Sequence, residues 1–196
     1  MSIKNIKLTK GCSWGENFVS IPGGEYGISE ATFTRGEDGT FTFSAVVEWV
    51  TRQNSCAIFA QATNYRCGNT GDLFTVYLIN TGIWVSLRNN NTYVRLNTGV
   101  NPVVNTKYVI DVVVSTTSIE VYINGALTVS QNITLIPNES NWLFGINALC
   151  DASAVKAVNS TSSIKVYAIN FYNRNLSAEE IVTNFNTYNE RYNLGL

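Results

Sequence analysis

The chain has 196 residues, of which 14% are charged and 45% hydrophobic, and it contains no histidine. Its length suits one domain of the usual ~100–200 residues, and its apolar share with little charge is the reverse of a disordered profile. Without imidazole there is no Ser-His-Asp or Cys-His hydrolase and no His-ligated zinc or haem, and a net charge of -1 lacks the basic field that nucleic acid requires.

The first seven residues carry no apolar h-region, so no Sec signal is expected. No run approaches the ~18 apolar residues of a membrane span. The expectation is a soluble chain without membrane insertion, reaching the exterior by a non-Sec route or within a larger assembly such as a virion. Residues 17–22 and 26–34 read as extended. After the turn Glu37-Asp38-Gly39, the segment 39–50 alternates, with Phe41, Phe43, Ala45, Val47 and Trp49 on one parity and Thr42, Ser44, Val46 and Glu48 on the other. Further strands are predicted at 56–62, 73–80, 82–89, 92–97, 107–115, 118–124, 126–131, 142–148 and 162–172. They are short, β-branched or aromatic, and bounded by Gly, Asn or Asp. Eleven or twelve such strands without interleaved helices predict an antiparallel sandwich or barrel. No linker or repeat interrupts 1–196, which reads as one domain. One helix closes the chain: Ser177-Ala178-Glu179-Glu180 is a capping box, and Ile181, Phe185 and Tyr188 form an apolar stripe running toward an end near Asn193.

Two segments carry a family likeness. Ser118-Ile119-Glu120-Val121-Tyr122-Ile123-Asn124-Gly125 resembles a strand and turn of laminin-G-like domains in the concanavalin A-like superfamily. Ile169-Asn170-Phe171-Tyr172-Asn173-Arg174-Asn175-Leu176-Ser177-Ala178-Glu179-Glu180-Ile181 is similar to the C-terminal signature of the same domains, and Phe41 to Trp49 fits their core strand. The resemblance implies an all-β, antiparallel two-sheet jelly-roll sandwich with one short C-terminal helix. Its members include lectins, carbohydrate-binding modules, protein-binding domains, glycoside hydrolases and phage structural modules, so function has to be argued from the site. Asn124-Gly125 reads as a left-handed turn, and Asn173-Arg174-Asn175-Leu176 as the strand-to-helix corner.

The superfamily's hydrolases resemble one another in an alternating acidic strand. Here Glu48 and Glu120 each stand alone, while Glu37-Asp38 and Glu179-Glu180 are adjacent. The chain therefore reads as a non-enzyme. No cofactor is expected. The four Asp residues (Asp38, Asp72, Asp111, Asp151) are scattered, and a structural calcium at Gly68-Asn69-Thr70-Gly71-Asp72 stays open without being predicted. Cys12, Cys56, Cys67 and Cys150 form no C-x-x-C pair; bridges Cys56–Cys67 or Cys12–Cys150 and free thiols both fit.

What remains is a polar, aromatic-rich surface: 25 Asn, 20 Thr and 16 Ser accompany 10 Tyr and 4 Trp. If Ile83, Val85 and Leu87 face the core, three consecutive hairpin strands place Tyr77, Trp84, Arg88, Tyr93 and Arg95 on one outward face, with Asn90 in the turn. Rings that stack on sugar C–H groups beside forked donors suit a glycan, such as a cell-surface polysaccharide. The same residues also suit hairpin packing or burial by another virion protein or a second copy in a homo-oligomer. Tyr65 and Arg66 form a second candidate patch. The expected function is non-catalytic recognition or adhesion, with a structural or protein-binding module as the rival and a glycoside hydrolase or lyase behind both.

Overall fold

A computed structural model describes residues 6–30, 35–36, 38–52, 55–62, 73–79, 82–89, 92–134, 143–150, 155–157 and 162–195. The strands are β1 (Ile6–Leu8), β2 (Ser13–Trp14), β3 (Val19–Ile21), β4 (Gly27–Ser29), β5 (Phe41–Trp49), β6 (Ser55–Gln61), β7 (Phe74–Ile79) and β8 (Gly82–Asn89). They continue as β9 (Thr92–Asn97), β10 (Lys107–Val114), β11 (Ser118–Ile123), β12 (Ala126–Asn132), β13 (Gly145–Ile146), β14 (Leu149–Cys150), β15 (Val155–Ala157) and β16 (Ile164–Tyr172). The helix α1 (Ala178–Tyr192) follows. One seven-stranded sheet runs β12-β11-β10-β5-β16-β3-β2, and a second runs β1-β4-β13-β6-β7-β8-β9. Two sheets of antiparallel strands with one terminal helix bear out the predicted sandwich.

The core lies between the sheets and is built on aromatic rings from alternate positions. Phe43 of β5 meets Phe59, Phe74 and Phe171 with ring centroids 4.9, 5.7 and 5.2 Å apart, and Phe59 meets Phe144 at 4.9 Å. Such tilted and edge-on pairs suit the ring quadrupole and fill the ~10 Å between sheets. The other parity of β5 is buried as well, because the chain's end folds back over it. Thr42 Oγ1 donates to the Arg174 carbonyl (3.0 Å) and accepts from the Leu176 amide (2.9 Å), pinning the strand-to-helix corner. Val46 and Val109 then pack with Tyr192 and Leu194, and Val113 with Leu176 and Ile181.

The helix is specified locally. Ser177 accepts from the Glu180 amide while Glu180 accepts from the Ser177 amide, completing the capping box. Glu180 also takes a two-pronged bond from Arg174 at 2.6 and 2.8 Å. The predicted stop is observed, with Asn193 left-handed as C-cap and Lys107 donating to the carbonyls of Tyr192 (2.6 Å) and Asn193 (3.2 Å). Asn124 and Gly125 have φ of 54° and 77°, the pair of positive values that a tight hairpin turn requires. A Cβ on Gly125 would lie 3.0 Å from the Phe185 ring, so this turn also seats the helix.

The structure departs from the predicted elements in three places. The strand expected at 142–148 is broken into β13 and β14 by Asn147, whose φ is 59°; residue 142 lies outside the described residues. Asn147 spends its side chain on buried partners, accepting from Cys56 Sγ (3.2 Å) and donating to the carbonyls of Glu25 (3.0 Å) and Ser162 (3.3 Å). The edge strands β1 and β2 and the hairpin β14–β15 are too short to show a periodicity. Cys12 and Cys56 are free thiols, so neither candidate bridge forms.

Phe43→Ala should lower the unfolding free energy by about 3–5 kcal/mol, the usual cost of emptying a buried Phe site. A reduced urea midpoint with unchanged slope checks this.

Candidate functional site

Register decides which side chains share the outer face of β7-β8-β9. Tyr77 pairs with Trp84 and Trp84 with Asn97; Thr75 pairs with Ser86 and Ser86 with Arg95; Arg88 pairs with Tyr93. Ile83, Val85 and Leu87 are fully buried in the core, as the alternation predicts. Tyr77, Trp84, Arg88, Tyr93 and Arg95 therefore do belong to one face.

That face is not an open plane. Tyr77 is 1% and Arg88 8% exposed, so the expectation that both lie open at the surface is corrected. Tyr77 lies against Trp84, with near-parallel rings 6.5 Å apart, and its hydroxyl accepts from Ser86 at 3.0 Å. On its other side, β6 presents Ala57 opposite Tyr77 and Ala60 opposite Thr75. Two small side chains there let Leu149 of β14 pack onto the sheet. Leu149 of β14 thus covers the Ala57 and Ala60 side of the outer face, whereas Tyr93 is 48% exposed.

The face holds a cleft of about 240 Å³ lined by Tyr77, Ile79, Trp84 and Arg95. Arg95 also lies over the Tyr93 ring, 4.3 Å from its centroid, and Arg88 approaches the same ring at 5.9 Å. Cation–π attraction to both guanidinium groups holds Tyr93 at the rim. Asn97 and Ile79 join the site without having been singled out from the sequence. Asn97 has the same strand parity as Tyr93 and Arg95, which was the available signal. Its side chain comes so close that a Cβ on Gly82 would meet Asn97 Oδ1 at 2.6 Å and Trp84 Nε1 at 3.3 Å. Asn90, Tyr65 and Arg66, like the Gly68–Asp72 loop proposed for calcium, lie outside the described residues.

Among the described residues the cleft lining offers ring faces, a guanidinium and an apolar floor, but no carboxylate. The two strand glutamates, Glu48 and Glu120, are elsewhere and far apart. Glu48 pairs with Lys107, whereas Val113 pairs with both Thr42 and Glu120, which puts them at opposite ends of the sheet. At ~3.3 Å per residue they are roughly 20 Å apart, well beyond the roughly 5–9.5 Å of a glycosidase pair. Each has a local partner instead. Tyr122 donates to Glu120 at 2.7 Å. Glu48 takes Lys165 at 2.8 Å and the Tyr167 hydroxyl at 2.6 Å. Burial alone would raise the Glu48 carboxyl, but the hydrogen bonds from Lys165 and Tyr167 and the charges of Lys165 and Lys107 together hold it below its usual value. Among the described residues no three acidic or thiol side chains gather into a metal cage.

The protein is thus an antiparallel two-sheet β-sandwich with an aromatic and arginine-lined cleft on one outer face. No family model and no curated protein matches its sequence. Solved structures match its fold. The receptor-binding domain of botulinum neurotoxin D superposes with a TM-score of 0.69 at 15% identity over 93% of this chain and 47% of that one. The serotype D ligand-binding domain in complex with N-acetylneuraminic acid gives 0.70 at 12% identity over 93% and 46%. The binding domain of paraclostridial mosquitocidal protein 1 gives 0.69 at 15% over 94% and 47%. The chain therefore spans about half the length of these domains, and the likeness is one of fold.

Because the Glu48 carboxyl is held low, it should stabilise the fold above its ordinary value of 4.5 and lose that contribution as pH falls through the lower folded value. Glu48→Gln should accordingly melt below wild type at neutral pH, with the gap closing in acid, as thermal melts across pH would show.

Proposed function

We propose that this chain is a non-catalytic recognition module of the concanavalin A-like, laminin-G-like kind, and that the Trp84 cleft holds a cell-surface glycan. The carrying observation is the cleft itself: Trp84 backed by Tyr77, with Arg95 on the wall and Tyr93 at the rim. A ring that is already stacked from behind loses little freedom when a sugar covers its other side. Forked guanidinium donors suit hydroxyls and carboxylates alike. The absence of a carboxylate among the described lining residues and the wide separation of Glu48 and Glu120 support binding without bond cleavage. The fold neighbours, which are receptor-binding domains of toxins, support the same reading. We take 1–196 as one domain, displayed on a virion or cell surface and needing no cofactor.

The rival is a structural module whose face is covered by a second copy or by another assembly protein. One observation favours it: β12 is an edge strand with no charged residue and no proline, exposed at all but one position, with Leu127 54% exposed. Uncharged, open edges of this length invite pairing with another chain.

On an array of cell-surface glycans, a folded Trp84→Ala variant should bind at least about tenfold more weakly than wild type, a loss of ~1.4 kcal/mol. Binding as tight as wild type overturns the site. A wild-type chain that binds no glycan and sediments as a dimer supports the structural module instead.

A further inference from the structure

Asp111 occupies the middle of β10 with no exposed surface. It belongs to a polar row crossing four strands of the outer sheet: Asn170 pairs with Ser44, Ser44 with Asp111, and Asp111 with Tyr122. The helix closes over this row. Val109 and Val113, which flank Asp111 on the same side of β10, pack with Tyr192 and with Leu176 and Ile181. Tyr188 reaches down from α1, and its hydroxyl accepts from Asn170 Nδ2 at 2.7 Å. The Ser44 hydroxyl beside it favours its carboxylate, but neither oxygen of Asp111 nor the Ser44 hydroxyl completes a well-formed hydrogen bond.

Beyond the Ser44 hydroxyl, the described groups around the carboxylate offer it little compensation. Tyr122 gives its proton to Glu120. Glu179, in the first turn of α1, adds negative potential around Tyr122. Cations of the same sheet and its corner are engaged elsewhere: Lys107 with the carbonyls ending α1, Lys165 with Glu48 and Arg174 with Glu180. Tyr122 and Tyr188 both feel the Asp111 charge, and among the described residues no cation acts on its carboxyl. An ionised carboxylate sealed in this way bears most of its desolvation cost. Two changes relieve it. Taking up a proton removes the charge and supplies an O–H that the Ser44 or Tyr188 oxygen can accept. Lifting α1 admits water.

We propose that Asp111 makes docking of the C-terminal helix pH-dependent, so that α1 is clamped on the sheet in acid and released more readily at neutral and alkaline pH. The apolar stripe of α1 and the valines beneath it would be the surfaces uncovered on release. Burial pushes the Asp111 carboxyl from its usual 3.8 up to about 7, with the Ser44 hydroxyl pulling the other way. The raised value sets the sign. The docked state holds a proton that the open state has lost, so docking is tightest below 3.8, weakens as pH rises through about 7, and is level above that. Glu48 and Glu180 are both held low and act oppositely, in more acid solution.

Amide hydrogen exchange of the whole chain, corrected for intrinsic rates, tests this. Opening of α1 should increase about tenfold per pH unit between roughly pH 5 and 7, and amides of β5 should not follow it. Asp111→Asn should retain docking and abolish the pH dependence. Equal helix protection at about pH 5 and about pH 7.5, an equal change in β5, or an unchanged dependence in Asp111→Asn overturns the proposal. If Asp111→Asn does not fold, carboxyl ¹³C titration of the wild-type chain decides. A midpoint near 7 supports the clamp, and one near the ordinary 3.8 overturns it.

Discussion

Strand β5 is buried along all nine residues and on both sides, and the rest of the molecule is arranged around the cost of that burial. On the inner side the requirement is volume, met by Phe43 and the rings that meet it from β6, β7 and β16. On the outer side it is polar satisfaction, because Thr42, Ser44 and Glu48 leave water along with the backbone. Thr42 is satisfied by the corner at Arg174 and Leu176, and Glu48 by Lys165 and Tyr167. Ser44, with Asp111 beside it, completes no well-formed hydrogen bond. The helix is therefore a second layer that an otherwise wet sheet face needs, and its one weak point is the polar row it seals.

The opposite face of the sandwich solves a different problem with smaller side chains. Ala57 and Ala60 leave room for Leu149, so β14 packs onto β6. A cleft rather than a flat aromatic surface results. Leu149 covers the β6 side of the face, while Tyr93 keeps its ring exposed. One aromatic row thus braces the hairpins and still leaves part of its ring surface open to solvent.

Much of the architecture was legible in the sequence because its signals are local. Period-two alternation places Ile83, Val85 and Leu87 inward whatever lies opposite them. Ser177 and Glu180 satisfy one another within a single turn, and Asn124-Gly125 adopts its turn for reasons of backbone sterics. Other features were hidden because they depend on distant segments. Asn147 breaks a predicted strand to serve Cys56, Glu25 and Ser162, partners that are remote in the chain. Tyr77 and Arg88 follow the outward parity of their strands, but their burial depends on what packs above them.

The sequence by itself determined the class of fold, most strand positions, the capped helix and which residues of β7, β8 and β9 share a face. Each follows from propensity, periodicity or a contact within a few residues. Only the tertiary structure decided that this face is partly covered, that Glu48 and Glu120 lie too far apart to act together, and that Asp111 is buried beneath the helix. Those outcomes depend on strand order and on the path of the chain's end, which bring together side chains dozens of residues apart that no local pattern couples.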